Sequence, residues 1–207
     1  MNSQPVTLSG PFVRLVPLTL DHVPALARVG LDPELWRWVP TPITSTDEMR
    51  AYVASALDEQ ARGLALPFAI VDTARGEVIG CTRYANIDVK NRRLEIGWTW
   101  LARAHQRTAA NTNAKRLLLG HAFDELGAIR VELKTDALNA KSRAAIGRIG
   151  AVQEGIVRKH SITASGRVRD AVYFSIIDTE WPAVRRTLDA RLAQGTAVST
   201  VTATPQV

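Results

Sequence analysis

The segment "LEIGWTWLARAHQRTAANTNAKRLLLGHAF", residues 94–123, indicates a strand, a loop and a helix in succession. Alternation along the strand predicts two faces: Leu94, Ile96, Trp98 and Trp100 on one, and Arg93, Glu95 and Thr99 on the other. The first N–H groups of a helix are unpaired and carry partial positive charge. A strand that feeds a helix therefore predicts an anion site at the start of that helix.

The loop before this helix contains no glycine, the residue that usually lets backbone approach a phosphate. We predict that the helix begins near Asn111, because asparagine is a favoured N-cap and tolerates left-handed backbone geometry. Ala109 and Ala110 are small enough to leave room for a ligand. The alternative, which the loop taken alone favours, is an ordinary helix N-terminus with an asparagine cap.

The composition indicates a globular protein with a sizeable core. The chain has 207 residues, of which 46% are hydrophobic and 22% charged. We predict a single domain over residues 1–193 and a disordered tail over residues 194–207, which are small and polar. Membrane-spanning helices need roughly 20 apolar residues, and no run approaches that length. The N-terminus lacks a secretory signal, which favours a cytoplasmic location.

The net charge of +6 favours an anionic partner, either a phosphorylated cofactor or a nucleic acid. The basic residues are spread along the chain and form no block typical of a nucleic-acid tail. The single Cys81 excludes an internal disulfide, and four scattered histidines make a zinc site unexpected.

The pattern of elements along the chain is β-α-α-β-β-β-α-β-α-β-β, followed by a terminal helix. A mixed sheet with helices on both faces is the natural packing for this order. This order, together with residues 94–123, resembles the GNAT superfamily of acyl-CoA N-acyltransferases. The branch it resembles most is that of ribosomal-protein N-terminal acetyltransferases of the RimJ/RimL type.

Three segments carry the resemblance, which extends from about Val13 to Trp181. The family's loop has the form Gln/Arg-x-x-Gly-x-Gly/Ala, and here Ala109 and Asn111 stand at its two small positions. The segment "DALNAKSRAAIGRIGA" is similar to the family's Asn-x-x-Ser helix start and Gly-Ala turn. The segment "GIVRKHSITASGRVRDAVYFSI" is similar to its final hairpin.

The resemblance implies an α/β (α+β) fold with a mixed, mostly antiparallel sheet, a splayed central strand pair and helices on both faces. It implies an N-acetyltransferase that uses acetyl-CoA and no metal. The acetyl group would move to a protein N-terminus or a small amine by direct attack in a ternary complex. The residues it assigns to acetyl-CoA are Trp98, Thr99, Trp100, Leu101, Gln106, Arg107, Thr108, Ala109, Ala110, Asn111, Thr112, Asn139 and Ser142.

Acyl transfer to an amine requires a base, because an alkylamine is mostly protonated at neutral pH. Glu95 is the candidate; the alternative is a surface carboxylate paired with Arg93 or another basic neighbour. Gly97 indicates a bulge that would free backbone N–H groups near Trp98 and Thr99 for the thioester oxygen. The alternative is a glycine that accommodates a neighbouring tryptophan.

A second helix start supplies the candidate acid. By resemblance, Asn139 would bind the pantetheine arm and Ser142 would protonate the leaving thiolate. The alternative is that Asn139 only caps the helix and Ser142 is its third residue.

The acceptor side is assigned to Trp36, Trp38 and Arg158, although aromatic residues are more often found in the core. We expect no membrane partner and no direct contact with nucleic acid; a homodimer is one expected assembly. Two other functions stay open: an acyl-CoA-binding module without turnover, suggested by Ala109 and Asn111, and a basic RNA-associated protein, suggested by the pI of about 10.0.

Overall fold

The predicted order of elements is confirmed in a computed structural model that describes the backbone of residues 4–201 and the side chains of residues 4–194. The strands are β1 Leu8–Ser9, β2 Val13–Pro17, β3 Leu66–Asp72, β4 Val78–Asp88, β5 Arg93–Leu101, β6 Arg130–Asp136, β7 Val152–Ile162 and β8 Val168–Ile177. The helices are α1 Val23–Gly30, α2 Thr46–Ala61, α3 Ala109–Gly120, α4 Ala140–Arg148 and α5 Trp181–Val201. The short strand β1 was not predicted from the sequence.

The eight strands form one sheet in the order β1-β2-β3-β4-β5-β6-β8-β7. Every neighbouring pair is antiparallel except β5 and β6, which are parallel. These two strands pair only where Arg93–Glu95 lies opposite Arg130–Glu132, although both strands continue beyond that point. The mostly antiparallel sheet and the splayed central pair are therefore both confirmed.

Helices cover both faces of the sheet. Helices α3 and α5 pack on one face, where Leu118 and Leu188 join a core cluster that includes Leu94 and Ile96. Helices α1 and α2 cover the other face, where their apolar residues surround Trp100. Strands β3 and β4 are thus buried on both sides, and the splay between β5 and β6 opens at the centre of the sheet.

A bulge in β5 changes which residues face each helix layer. Cys81 pairs with Trp100 and Arg83 with Gly97, so β5 carries one residue more than β4 over this stretch. An extra residue moves all later side chains to the opposite face. The prediction that Trp100 shares a face with Leu94 is therefore wrong, and Leu101 takes the place on the α3 side.

Helix α3 is fixed at several points along its length. The Asn113 side-chain oxygen accepts hydrogen bonds from the backbone N–H groups of Phe12 and Val13, both at 3.0 Å. Arg116 pairs with Asp189 of α5 at 2.7 Å. Since these contacts and the buried leucines hold the helix, its N-terminus has a defined position beside β5.

The last helix extends beyond the domain boundary predicted from the sequence. Helix α5 continues to Val201, past residue 193, and residues 202–207 lie outside the described part of the chain. No helix in residues 4–201 combines the length and the apolar character needed to cross a bilayer. The single domain, the cytoplasmic location and the homodimer stay predictions.

Candidate active site

The splay between β5 and β6 creates an opening in the middle of the sheet. Beyond Glu95 the edge of β5 that faces β6 has no strand partner. Backbone N–H and C=O groups that the sheet leaves unpaired need another partner, either water or a ligand. An extended ligand with amide groups of its own suits such an edge, because it can pair as a strand would.

The predicted bulge near Gly97 is confirmed, and its strained residue is Trp98. This residue has a φ of 50°, in the left-handed region that bulky residues rarely adopt. Trp98 is 41% exposed, while Leu94 and Ile96 of the same strand are buried. The bulge therefore turns one tryptophan out of the core at the mouth of the opening.

Glu95 is the buried carboxylate at the point where the two strands separate. Its residue surface is 3% exposed. Oε2 accepts a hydrogen bond from Asn86 Nδ2 at 2.8 Å and pairs with Lys134 Nζ at 3.0 Å. Oε1 lies over Gly97, where an added Cβ would approach it to 2.9 Å. One oxygen is thus anchored, while the other lies over the glycine backbone of the bulge.

The alternative for Glu95 is wrong in one part and confirmed in another, because the carboxylate is buried rather than at the surface but does pair with a basic neighbour. Arg93 pairs instead with Asp88 and Glu132, at 3.2 and 3.4 Å. The basic neighbour of Glu95 is Lys134, which reaches across from β6. The pair thereby bridges the two splayed strands at the base of the opening.

Aromatic rings surround the Lys134 ammonium. Its Nζ lies 5.8 Å from the ring centre of Trp98 and 5.9 Å from that of Tyr173. The Tyr173 hydroxyl is 3.2 Å from His160 Nε2. Burial, with the nearby charges of Lys134 and Arg169, lowers the pKa of His160 and favours its neutral form. This wall of the opening thus combines two aromatic rings, an ammonium and a neutral imidazole.

The loop between β5 and α3 is held by side-chain contacts at both ends. Gln106 Nε2 donates to the Leu101 carbonyl at 2.9 Å, and Lys141 Nζ donates to Gln106 Oε1. Arg107 adopts the left-handed conformation, with a φ of 64°. The backbone reversal therefore falls on an exposed arginine and requires no glycine.

Helix α3 begins at Ala109, and Thr108 is its N-cap. The Thr108 hydroxyl accepts from the Ala110 N–H at 3.2 Å and donates to the His105 carbonyl at 2.8 Å. The prediction that Asn111 caps the helix is wrong, because the threonine hydroxyl already takes that position. Asn111 lies in the first turn, which contains no acidic residue. The N–H groups of Ala109 and Asn111 have no carbonyl four residues earlier in the helix to bind.

The second predicted helix start also borders this loop. Asn139 caps α4, and its side-chain oxygen accepts from the Ser142 N–H at 3.0 Å. Asn139 is thereby confirmed as the cap of α4, while its contact with the pantetheine arm and the role of Ser142 as an acid stay predictions. Lys141, in the first turn of α4, links that helix to Gln106.

The three residues assigned to the acceptor lie in different environments. Trp36 is buried beside Trp100, with ring centres 5.5 Å apart, so its assignment to the opening is not supported. Trp38 is partly exposed, and the guanidinium of Arg167 lies 5.8 Å from its ring centre. Arg158 is exposed on β7, in an open depression of about 560 Å³.

The chain that forms this arrangement of strands, loop and helix matches the model of a known protein family. The family model described as "Acetyltransferase (GNAT) domain" matches residues 13–152. The chain belongs to the GNAT acetyltransferase family. The resemblance seen in the sequence is thereby confirmed, and the protein is an N-acetyltransferase.

Relatives of this GNAT protein carry related names. "Uncharacterized N-acetyltransferase p20" of Bacillus licheniformis is 28% identical over 79% of this chain and 92% of its own length. "Putative ribosomal N-acetyltransferase YdaF" of Bacillus subtilis is 37% identical over 51% of this chain and 57% of its own length. A "putative acetyltransferase" from T. thermophilus has a crystal structure with 36% identity and a TM-score of 0.84, covering 93% of this chain and 100% of that one.

The RimJ protein of Mycobacterium smegmatis, solved in complex with CoA-disulfide, shares the fold of this acetyltransferase. It is 24% identical with a TM-score of 0.79, over 91% of this chain and 96% of that chain. The donor for enzymes of the GNAT family is acetyl-CoA.

Two lysines and one asparagine beside the bulge in β5 were not predicted from the sequence. Lys134 alternates with the buried Val131 and Leu133, which places it on the sheet face opposite to theirs. That periodicity, with the parallel pairing of β5 and β6, is a signal that could have identified Lys134. Nothing comparable marks Asn86 or Lys115, which reach the site through tertiary packing.

Lys115 is buried in α3, and this burial lowers its pKa to about 7, from 10.5 for a free side chain. Between these values the unfolded chain binds a proton that the folded protein does not, so the free energy of unfolding rises with pH. Below pH 7 both states are protonated and the full cost of burial is present. We expect the free energy of unfolding, measured with urea, to rise from pH 7 to pH 10 relative to a Lys115→Met variant. If the difference in free energy of unfolding between the wild type and Lys115→Met did not change with pH, the lowered pKa of Lys115 would be contradicted.

A methyl group at Gly97 is expected to displace the Glu95 carboxylate. The added Cβ of Gly97→Ala would lie 2.9 Å from Oε1, while Asn86 and Lys134 hold Oε2 in place. We expect kcat to fall about tenfold with little loss of thermal stability. Gly147→Ala is the control, since nothing lies within 4 Å of its new Cβ. Unchanged kcat in Gly97→Ala would show that the carboxylate position is unimportant.

Proposed function

We propose that this enzyme transfers the acetyl group of acetyl-CoA to the α-amine of a protein N-terminus, by direct attack in a ternary complex. One arrangement supports the proposal above all others. The opening between β5 and β6 begins at the buried Glu95 carboxylate, and β5 leads on from there to α3, whose first turn contains no acidic residue. An anion site at the start of α3 and a base at Glu95 would then serve the two ends of one bound acyl-CoA.

The residues present suit an acyl-CoA. The unpaired N–H groups of Ala109 and Asn111 and the positive end of the helix dipole would hold the diphosphate. The unpaired edge of β5 beyond Glu95 would pair with the two amides of the pantetheine arm. Acetyl-CoA supplies an acetyl thioester, a carbonyl activated toward amines.

Protein groups then provide the two remaining requirements of the reaction. Glu95 Oε1 would take a proton from the acceptor ammonium, directly or through water, while Asn86 and Lys134 fix Oε2. Backbone N–H groups of the bulge at Trp98 and Thr99 would stabilise charge on the carbonyl oxygen. Ser142 is the candidate donor for the leaving thiolate, with water as the alternative.

A protein N-terminus is favoured as acceptor for two reasons. A relative, YdaF, carries the name of a ribosomal N-acetyltransferase. In addition, the largely exposed strand β7 forms a free edge of the sheet. An extended peptide can bind such a surface, whereas a small amine needs a closer pocket.

The test is an acetylation assay with a panel of acceptors. Purified protein and acetyl-CoA are mixed with peptides bearing free N-termini, the same peptides with blocked N-termini, and polyamines. Thiol release is followed together with peptide mass. We expect release with free N-termini only. Thiol release with polyamines alone would contradict a protein N-terminus as the acceptor. Tight CoA binding without any thiol release would favour an acyl-CoA-binding module without turnover.

A further inference from the structure

Lys115 presents a cationic side chain to the interior of the protein. The residue is 6% exposed, and its Nζ donates a hydrogen bond to Thr99 Oγ1 at 2.7 Å. None of the ion pairs found in the described residues includes Lys115. A buried amine without a carboxylate partner is costly, so an apolar residue of similar shape would stabilise the fold better.

The partner of this lysine lies in the β5 bulge. Thr99 Oγ1 is 2.7 Å from Thr82 Oγ1 and 3.4 Å from the Gly97 carbonyl. If Thr82 donates, then Thr99 accepts from both Thr82 and Lys115, and its own hydrogen points to Gly97. The Thr99 hydroxyl is then fully satisfied, since a hydroxyl has one donor and two acceptor positions. Lys115 thereby completes a network that ties the two ends of the bulge together.

The network braces a strained segment. Trp98, between Gly97 and Thr99, has a φ of 50°, and left-handed geometry is unfavourable for a residue with a Cβ atom. Backbone strain of this kind persists only where the surroundings enforce it, and it is common at functional sites. The same three residues lie in the part of β5 that has no pairing with β6.

We propose that Lys115 is a positioning residue for acetyl transfer, which acts through Thr99 to hold the Gly97–Thr99 bulge in the geometry that presents its backbone N–H groups to the acyl carbonyl. The inference rests on the proposed function. A purely structural role predicts that removal of the amine lowers the stability of the protein. A positioning role predicts instead that it lowers the rate of acetyl transfer without lowering stability.

The test compares Lys115→Met with the wild-type enzyme. Methionine keeps the unbranched shape and removes the ammonium. We expect the melting temperature to be unchanged or higher, kcat to fall about five- to tenfold, and the KM for acetyl-CoA to change less than twofold. Leu119→Met, a fully buried position in the same helix, is the control and should leave kcat unchanged. Wild-type kcat in Lys115→Met, or a lower rate that only follows a loss of folded protein, would overturn the proposal.

A second measurement does not depend on activity. Amide chemical shifts of residues 97–99 should change in Lys115→Met, while those of the β3 strand should not. Unchanged shifts at the bulge would overturn the inference even if the wild-type enzyme is active. Absence of thiol release by the wild-type protein with every acceptor would instead contradict the proposed function, so the two failures are distinguishable.

Discussion

Replacement of Glu95 by glutamine is expected to lower kcat by about 10²- to 10⁴-fold at neutral pH, the usual contribution of a general base. The amide keeps the size of the side chain and can still contact Asn86 and Lys134. It cannot take a proton from the acceptor ammonium. The measurement is kcat as a function of pH with a peptide acceptor, and part of the loss should be recovered at high pH, where the amine is neutral without help.

Glu132→Gln is the matched control for this variant. Glu132 lies opposite Glu95 in the parallel pairing of β5 with β6, and it pairs with Arg130 and Arg93. Its substitution removes a carboxylate one strand away and should change kcat less than twofold. Wild-type kcat at neutral pH in a folded Glu95→Gln protein would exclude Glu95 as the base.

Asn111→Asp is expected to raise the KM for acetyl-CoA about thirtyfold. The substitution preserves side-chain size and adds one negative charge in the first turn of α3, which has none. A carboxylate there stabilises the helix by about 0.3–1 kcal/mol. It also repels a diphosphate by about 2 kcal/mol at short range, which corresponds to the expected change in affinity. The informative result is weaker donor binding in a protein that is at least as stable as the wild type.

Thr46→Asp provides the control, because it adds the same charge in the first turn of another helix, α2. Its KM for acetyl-CoA should stay within twofold of the wild-type value. Equal KM values in Asn111→Asp and the wild type would mean that the diphosphate does not bind at the start of α3. Melting temperatures of both variants separate this effect from unfolding.

Local periodicity was sufficient to predict most of the fold. Alternation over the first half of β5 was visible in the sequence and is present in the structure, where Leu94 and Ile96 share the α3 side. The bulge could be expected from Gly97, but its consequence for Trp100 could not. A single extra residue reverses the face of every later side chain, so an alternation pattern that runs through a bulge misplaces its second half.

The start of α3 shows how one favourable residue can mislead. Thr108 and Asn111 are both good N-caps, and the sequence offered no reason to prefer the first. In the structure, Gln106 binds the Leu101 carbonyl and Arg107 takes the left-handed conformation, which brings the Thr108 hydroxyl to the helix end. The absence of glycine is therefore explained by side-chain anchoring of the turn.

Contacts between distant segments account for what the sequence did not reveal about the site. Glu95 was a candidate from its strand position, yet its partners Asn86 and Lys134 come from a bulge in β4 and from the other side of the splay. Trp36 was assigned to the acceptor and instead packs against Trp100 in the core. The partners of Glu95 and the packing of Trp36 both depend on strand register. The hydrophobic pattern within a single segment does not define that register.

A crystal structure of the protein with bound CoA tests the central claim most directly. We predict that the diphosphate oxygens accept hydrogen bonds from the N–H groups of Ala109 and Asn111, that the pantetheine arm lies between β5 and β6, and that the sulfur is on the Glu95 side of the opening. A diphosphate bound elsewhere, with those N–H groups paired within the protein and the opening closed, would contradict the account.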